Sequence, residues 1–292
     1  MSLLKDDDHS GELDAAFEAY TERVKAYGRR WWMRDHEAQK VLADAPALLD
    51  DLGDRAAAGE IIPTADVYRQ ADGWRDVRKP EHERVLSELF PAVVEMVTRP
   101  MIVYLMGLPG SGKSTVLRPL AERFLARRER GPVIVRDADA VRVRLPEFEH
   151  GLGSHVVQIE TSDITYEQAT TRLPSRTHLL VDIVGDPAWV PDEMAEFRAK
   201  GYAVAALVAE VPLELAVRRA KWRALGSGRH VPIAYLRGVA DQPRKALDAT
   251  LGVSGLLDHW AIVDTSGPPP GLVVAGDGAF GAPGAPPSDG SN

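Results

Sequence analysis

The amino-acid sequence predicts an α/β protein with a parallel sheet flanked by helices, preceded by an all-helical N-terminal region. From residue 100 to residue 265, short apolar runs alternate with helical patterns, which is typical of right-handed βαβ units. Residues 1–99 show helical periodicity almost throughout, and residues 266–292 are rich in glycine and proline. The sequence therefore predicts three parts: a helical region, a sheet domain and a disordered tail.

The helical region begins with a regular apolar stripe. The residues that recur at the spacing of one helix face are Leu13, Phe17, Tyr20, Val24 and Tyr27. A later helix is predicted to open at Lys79-Pro80, because proline fits the first turn and the acids that follow suit the helix dipole. The one exception to helix is a short extended piece at Ile61-Ile62.

The sheet domain contains five apolar runs that predict strands. They cover residues 102–106, 133–136, 178–183, 202–210 and 260–264. Helices are predicted between them, including residues 187–200 and 212–225, with Gly201 as the residue that follows the first of these. The tail contains one further extended piece at residues 272–274. In a sheet of this kind, ligands collect at the carboxyl ends of the strands.

A phosphate-binding loop follows the first predicted strand of this domain. It reads G-x-x-x-x-G-K-S between a strand and a helix, which is the context that the motif requires and predicts a P-loop NTPase-type sheet. Backbone amides of the loop and the helix terminus are expected to hold the phosphates of ATP. Lys113 would reach the β- and γ-phosphates and Ser114 would bind Mg²⁺. The predicted ATP-binding residues are Gly107, Leu108, Pro109, Gly110, Ser111, Gly112, Lys113, Ser114 and Thr115.

Composition narrows the class of protein. The net charge of −8 argues against a nucleic-acid partner, and the absence of cysteine excludes disulfides, thiolate metal sites and cysteine nucleophiles. The chain begins with acidic residues where a signal peptide would be basic, and no run reaches the ~18 apolar residues of a membrane span. We therefore expect a cytoplasmic protein without a membrane segment. His155 has no partner at metal-ligand spacing and is interpreted as structural.

Two acids follow the second strand of the sheet domain. A carboxylate there would lie beside the phosphate loop and could accept the proton of an acceptor hydroxyl. Asp139 is the candidate base and Asp137 is the competitor, because strand alternation would let only one of them face the cleft. The alternative is that both acids only cap the following helix.

The stretch Asp137-x-Asp139-x-x-Arg142-x-x-x-Pro146 resembles the D-x-D-x-x-R-x-x-x-P segment of zeta toxin family kinases. That family phosphorylates a sugar hydroxyl of UDP-N-acetylglucosamine with ATP. The resemblance implies that Asp139 is the base and that Arg142 binds the substrate.

A later segment carries the resemblance further. A valine–proline strand exit at Val211-Pro212 is followed by a helix with Arg223 and then by Arg229. In the family, arginines at these positions clamp the transferred phosphate, and charge on that group needs cations from a mobile lid. The alternative is a solvated basic helix face.

Two further positions carry weaker signals, one from its spacing and one from its place at the end of a strand. Glu167 corresponds to a family glutamate that contacts the acceptor sugar, although exposed helix glutamates are common. Asp182 ends a strand where a carboxylate would hold Mg²⁺. The family often has Gly-Thr after this acid, whereas this chain has Ile-Val, so the resemblance covers the nucleotide machinery better than the acceptor site.

The leading hypothesis is an ATP-dependent kinase acting on a nucleotide sugar such as UDP-N-acetylglucosamine. One alternative is a phosphotransferase for an antibiotic, a nucleoside or another metabolite, and a second is a non-catalytic ATP-binding regulator. Zeta toxins are held inactive by a helical antitoxin, so residues 1–99 are either a cis-inhibitory segment or a simple extension of the fold.

Overall fold

In the computed structural model of the protein, the described residues are 62–90, 96–151, 153–173, 176–227, 229, 231–267, 273–276 and 280. The apolar stripe predicted near the N-terminus lies outside them. The helices are α1 Thr64–Tyr68, α2 Lys79–Leu89, α3 Arg118–Arg128, α4 Ala138–Arg142, α5 Gln158–Ser162, α6 Ala169–Arg172, α7 Val190–Ala199, α8 Leu213–Ser227, α9 Ile233–Gly238 and α10 Gln242–Leu251. The strands are β1 Arg69–Gln70, β2 Gly73–Trp74, β3 Met101–Met106, β4 Val133–Asp137, β5 His178–Ile183, β6 Ala203–Glu210, β7 His259–Asp264 and β8 Val273–Gly276.

The main sheet has the strand order β4-β5-β3-β6-β7-β8. The strands from β4 to β7 are parallel, and β8 pairs antiparallel with β7. This arrangement confirms the predicted parallel sheet flanked by helices, and each predicted strand lies within one residue of its observed bounds. The parallel strands end at one edge, so the loops that follow β3, β4, β5 and β6 meet there.

The core has two layers, one on each face of the sheet. Every residue of β3 is buried, as expected of a central strand covered on both sides. Helices α2, α7 and α10 pack on one face, and α3 packs on the other. Gly201 follows α7 with φ of 86°, the left-handed conformation predicted for the residue after a helix. None of the helices in the described ranges combines the length and apolar character of a membrane-spanning segment.

The ends of the chain depart from the sequence-based picture. The hairpin β1–β2 lies inside the region predicted to be helical, and Val85 and Leu86 of α2, with Phe90 directly after it, belong to the core on one face of the sheet. The predicted boundary at residue 99 stays a prediction, and this packing favours a boundary before α2. In the tail, the predicted extended piece is strand β8, and Phe280 is buried against α3. The tail is therefore not wholly disordered.

Candidate active site

The phosphate loop connects β3 to a helical turn, Lys113–Leu117, that leads into α3. Gly110 and Gly112 have φ of 84° and 90°, a conformation that favours glycine. A Cβ atom on Gly110 would lie 2.3 Å from the carbonyl oxygen of Ala216 in α8, so the loop and α8 are in direct contact. Leu108 joins the same small apolar cluster as α8 and α9. The loop is thus closed on one side by the helix that carries Arg223.

Lys113 is held inside the loop. Its Nζ donates to the carbonyl oxygens of Gly107 at 2.5 Å and Leu108 at 3.3 Å, and it lies 3.5 Å from Oδ1 of Asp182. Burial lowers the pKa of Lys113 and raises that of Asp182, and each group opposes the shift of the other by its charge. The lysine predicted to bind phosphate and the acid predicted to bind Mg²⁺ therefore form an ion pair at the carboxyl end of β5.

Asp137 and Asp139 have different positions at the end of β4. Asp137 is the last residue of the strand, and its Oδ1 accepts the amide of Asp139 at 2.9 Å, so it caps α4. Asp139 lies in the first turn of that helix. Strand alternation does not apply to it, and both acids line the same cleft. The prediction that only one acid could face the cleft is wrong for this reason.

Three arginines surround the carboxylate of Asp139. Its Oδ1 accepts from Nη1 of Arg142 at 2.7 Å, its Oδ2 is in contact with Nη2 of Arg229, and Nη1 of Arg223 is 3.9 Å away. Burial lowers the pKa of all three guanidinium groups, which remain charged because their ordinary pKa is so high. Arg223 and Arg229, the arginines predicted to clamp the phosphate, therefore lie close to the candidate base Asp139, although they are far from it in the chain.

A cleft of about 700 Å³ extends from Lys113 past Asp139. Its far wall is formed by side chains that the sequence analysis does not assign to a site: His155, Gln158, Tyr166, Trp189 and Tyr235. Oε1 of Gln158 accepts from Nη2 of Arg142 at 2.6 Å, and the rings of Tyr166 and Trp189 lie 6.0 Å apart. Burial, together with the charge of Arg142, lowers the pKa of His155 to about 4, so this ring is neutral at pH 7.

Only some of these wall residues leave a signal in the sequence. Trp189 follows the end of β5, where ligands of parallel sheets collect, and could have been found on that ground. Gln158 and Tyr166 look like ordinary helix residues. Glu167 lies in the helical turn Asp163–Gln168, and its side chain is outside the described residues. Its predicted contact with the acceptor stays a prediction.

The donors suited to a metal ion are oxygen atoms at the carboxyl edge of the sheet. Ser114 is exposed in the first turn after the loop, and Asp182 pairs in register with Asp137 on the adjacent strand. The described residues contain no group of three His, Cys, Asp or Glu side chains suited to a metal. Mg²⁺ that binds with a nucleoside triphosphate needs only one or two protein oxygens, so Ser114 and Asp182 fit that ion.

Comparison with known proteins agrees with this geometry. Residues 85–268, more than half of the chain, match the family model described as Zeta toxin. No curated protein matches the chain by sequence. Among solved structures, the AvrRxo1-ORF1:AvrRxo1-ORF2 complex with sulphate ions is similar at 14% identity over 70% of this chain and 73% of that chain, with a TM-score of 0.54. The PezAT toxin-antitoxin structure of Streptococcus pneumoniae has 20% identity over 65% of this chain and 79% of that chain, with a TM-score of 0.48.

Proposed function

The chain belongs to the zeta toxin family, and on that premise we propose that it phosphorylates a hydroxyl group of a nucleotide sugar such as UDP-N-acetylglucosamine. Family membership makes the chain an ATP-dependent phosphotransferase, as the sequence predicts. The proposal concerns the acceptor and the role of each side chain. The observation that carries it is the position of Asp139, which shares one cleft with Lys113 and contacts the lid arginine Arg229.

ATP is proposed to bind through the loop from Gly107 to Thr115. Loop amides and the helix terminus would hold the phosphates, and Lys113 would leave its loop carbonyls to contact the β- and γ-phosphates. Ser114 and Asp182 would hold Mg²⁺, which when bound neutralises charge on the phosphates. The ion pair between Lys113 and Asp182 supports this arrangement, because it keeps both charges compensated before the nucleotide binds.

Asp139 is proposed to act as the general base. As the acceptor oxygen bonds to the γ-phosphorus, the bond to the β–γ bridging oxygen breaks, and the hydroxyl proton passes to the Asp139 carboxylate. Arg223 and Arg229 would exchange part of their contact with Asp139 for the transferred phosphoryl group, whose negative charge they stabilise. Arg142 would hold Asp139 in place and contact the acceptor.

The wall of the cleft supports a nucleotide-sugar acceptor. Trp189, Tyr166 and Tyr235 present aromatic rings of the kind that stack on bases and sugar faces. Arg142 and Gln158 offer charged and polar groups beside them. Glu167 is kept in this proposal as a further contact with the sugar. Such an acceptor is a cytoplasmic metabolite, so we propose that the protein acts in the cytoplasm.

The test is a transfer assay with purified protein, Mg²⁺, ATP labelled in the γ-phosphate and UDP-N-acetylglucosamine. We expect a labelled nucleotide sugar from the wild type, and none from Lys113→Ala or Asp139→Asn. Asp139→Asn should still bind ATP, because Asp139 lies outside the loop. If the wild type labels no nucleotide sugar but labels a component of a metabolite extract, the acceptor proposal is wrong and the alternative phosphotransferase is right. Tight ATP binding without transfer to any acceptor would favour the other alternative, a non-catalytic ATP-binding regulator.

The family resemblance also supports an inhibitory partner, which we propose is either a separate antitoxin or the N-terminal part of this chain. The truncation that tests inhibition by the N-terminal part removes residues 1–61 and no more, because α2 packs into the core on one face of the sheet. Expression of the shortened protein should inhibit growth more strongly than expression of the full chain. Equal growth of the two strains at equal protein levels would contradict cis-inhibition.

A further inference from the structure

A buried arginine joins the N-terminal segment to the far wall of the cleft. Arg78 lies immediately before α2 and is only 7% exposed. Its Nη1 and Nη2 donate to Glu147 at 3.0 and 2.7 Å, and its Nε and Nη2 donate to Glu160 at 2.5 and 2.9 Å. Both carboxylates are therefore bound in a bidentate manner by one guanidinium group, a geometry that lysine cannot reproduce.

The two carboxylates belong to the turn that follows α4 and to α5, and each of these two helices contributes residues to the cleft. Glu147 lies in the turn Pro146–Gly151, which follows α4, the helix of Asp139. Glu160 lies in α5 and is fully buried, while Gln158 of the same short helix lines the cleft. Arg78 therefore connects the turn after α4 to α5 through one guanidinium group.

A continuous series of hydrogen bonds runs from α5 to the candidate base. Gln158 accepts from Arg142 at 2.6 Å, and Arg142 donates to Asp139 at 2.7 Å. Neighbouring contacts support the same attachment: the indole of Trp74 donates to Asp163 at 3.1 Å, and His82 lies 2.6 Å from Glu160. A displacement of α5 would therefore be passed to Arg142 and Asp139, the groups proposed to meet the acceptor.

We propose that Arg78 is a positioning residue for the phosphoryl acceptor: by binding Glu147 and Glu160 together, it fixes α5 against α4 and so sets Arg142 and Asp139 in place. This inference rests on the proposed function for the identity of the acceptor. Arg78 precedes residues 85–268, the part of the chain that matches the family model. The proposal therefore extends the functional part of the chain to a residue before the matched range.

The phosphate loop provides an internal reference for the test. It is attached to α3 and α8, and among the described side chains the hydrogen bonds of Arg78 go to Glu147 and Glu160, which lie outside both helices. Loss of Arg78 should therefore reduce kcat/KM for the acceptor by about tenfold or more, since small misplacements of reacting groups are costly, while KM for ATP stays unchanged. A loss of folded protein would lower the apparent kcat and leave both KM values unchanged, so rates are expressed per ATP-binding site counted by calorimetry.

The experiment measures transfer to UDP-N-acetylglucosamine by the full chain and by Arg78→Ala, Arg78→Lys and Lys79→Ala. Lys79 is the matched control, because it is the adjacent basic residue and its ion pair in the described part of the chain is an exposed one with Asp76. We expect a large loss of acceptor kcat/KM in Arg78→Ala, an intermediate loss in Arg78→Lys and wild-type values in Lys79→Ala. An unchanged acceptor kcat/KM in both Arg78 variants, or an equal rise in KM for ATP, overturns the proposal.

A double-mutant cycle separates positioning from stability. If Arg78 acts through Gln158, the variant Arg78→Lys/Gln158→Ala should lose no more acceptor kcat/KM than the more severe single variant. Additive losses would show that the two residues act independently and would contradict the proposal. Arg78→Lys is used here because Arg78→Ala leaves two buried carboxylates without their cation and is the variant more prone to unfold.

An error in the proposed acceptor can be distinguished from an error in the proposed role of Arg78. A wild-type protein that transfers no phosphate to UDP-N-acetylglucosamine contradicts that acceptor alone. Amide hydrogen exchange with ATP and Mg²⁺ present then decides the inference. Arg78→Lys should increase exchange in α4 and α5 and leave α3 at the wild-type rate. Equal rates in α4 and α5, or an equal increase in α3, would overturn the positioning role.

Discussion

Glu160 should make the folded state sensitive to acid. Burial alone would raise the pKa of this carboxyl, but hydrogen bonds from His82 and Arg78 outweigh burial and hold the pKa at about 2, below its ordinary 4.5. The ionised carboxylate therefore stabilises the fold at neutral pH. The perturbation to examine is Glu160→Gln, which keeps the shape of the side chain and removes its titration.

The expected size follows from the two pKa values. The difference between 4.5 and about 2 corresponds to about 3 kcal/mol, at about 1.4 kcal/mol for each unit. Because the folded-state pKa is the lower one, this stability is fully present above pH 4.5 and is lost as the pH falls through about 2. Against a typical free energy of unfolding of about 5–15 kcal/mol, the effect is large enough to measure.

Urea unfolding of the wild type and of Glu160→Gln across a series from pH 7 to about pH 3 measures the effect. The variant should be less stable at pH 7, and the gap should narrow as the pH falls below 4.5. Glu122→Gln is the control, because Glu122 is exposed and pairs with Arg118 one turn away in α3, and its curve should follow the wild type. A gap between wild type and Glu160→Gln that stays constant with pH would refute the assignment of Glu160 as the buried, stabilising carboxylate.

Three further predictions concern the cleft. Arg223→Ala should reduce kcat by about 10²-fold or more while ATP affinity, measured by calorimetry, stays near wild type, and an unchanged kcat would remove Arg223 from the phosphoryl clamp. Gly110→Ala should abolish ATP binding because its Cβ would meet Ala216, whereas Gly201→Ala, with similar φ but open space around its Cβ, should bind ATP normally. Because the pKa of His155 is about 4, His155→Gln should leave the pH profile of acceptor KM between pH 6 and 8 unchanged, and a profile that flattens would show that the ring titrates there.

The nucleotide half of the cleft was predictable because its information is local. The loop lies between one strand and one helix, and the strand bounds follow from short apolar runs. The resemblance also identified Arg223 and Arg229, which lie beside Asp139 although the chain separates them widely. The error at Asp137 and Asp139 came from a boundary: the strand ends at Asp137, and side chains beyond that residue follow helical geometry.

The acceptor half was not predictable from periodicity or motifs. Arg78 lies 69 residues from Glu147 and 82 from Glu160, and nothing in its local sequence distinguishes it from a surface arginine. The hairpin before it has only two residues in each strand, too few for an alternating pattern. Strand β8 and Phe280 belong to a glycine- and proline-rich tail whose composition predicts disorder. In each case a long-range contact decides the structure.

This division of the cleft has a consequence for how its two functions respond to mutation. In the proposed function, the phosphates are held mainly by backbone amides of one contiguous loop, which most side-chain substitutions elsewhere leave intact. In the proposed function, the acceptor is held by side chains on α4, α5 and the segment after β5, and α5 is bound in turn by the buried Arg78, which lies outside the matched family range. Substitutions in those elements should therefore alter the activity toward the acceptor while ATP binding is retained. The acceptor kcat/KM of a variant, rather than its affinity for ATP, is consequently the quantity that tests the assignment of this site.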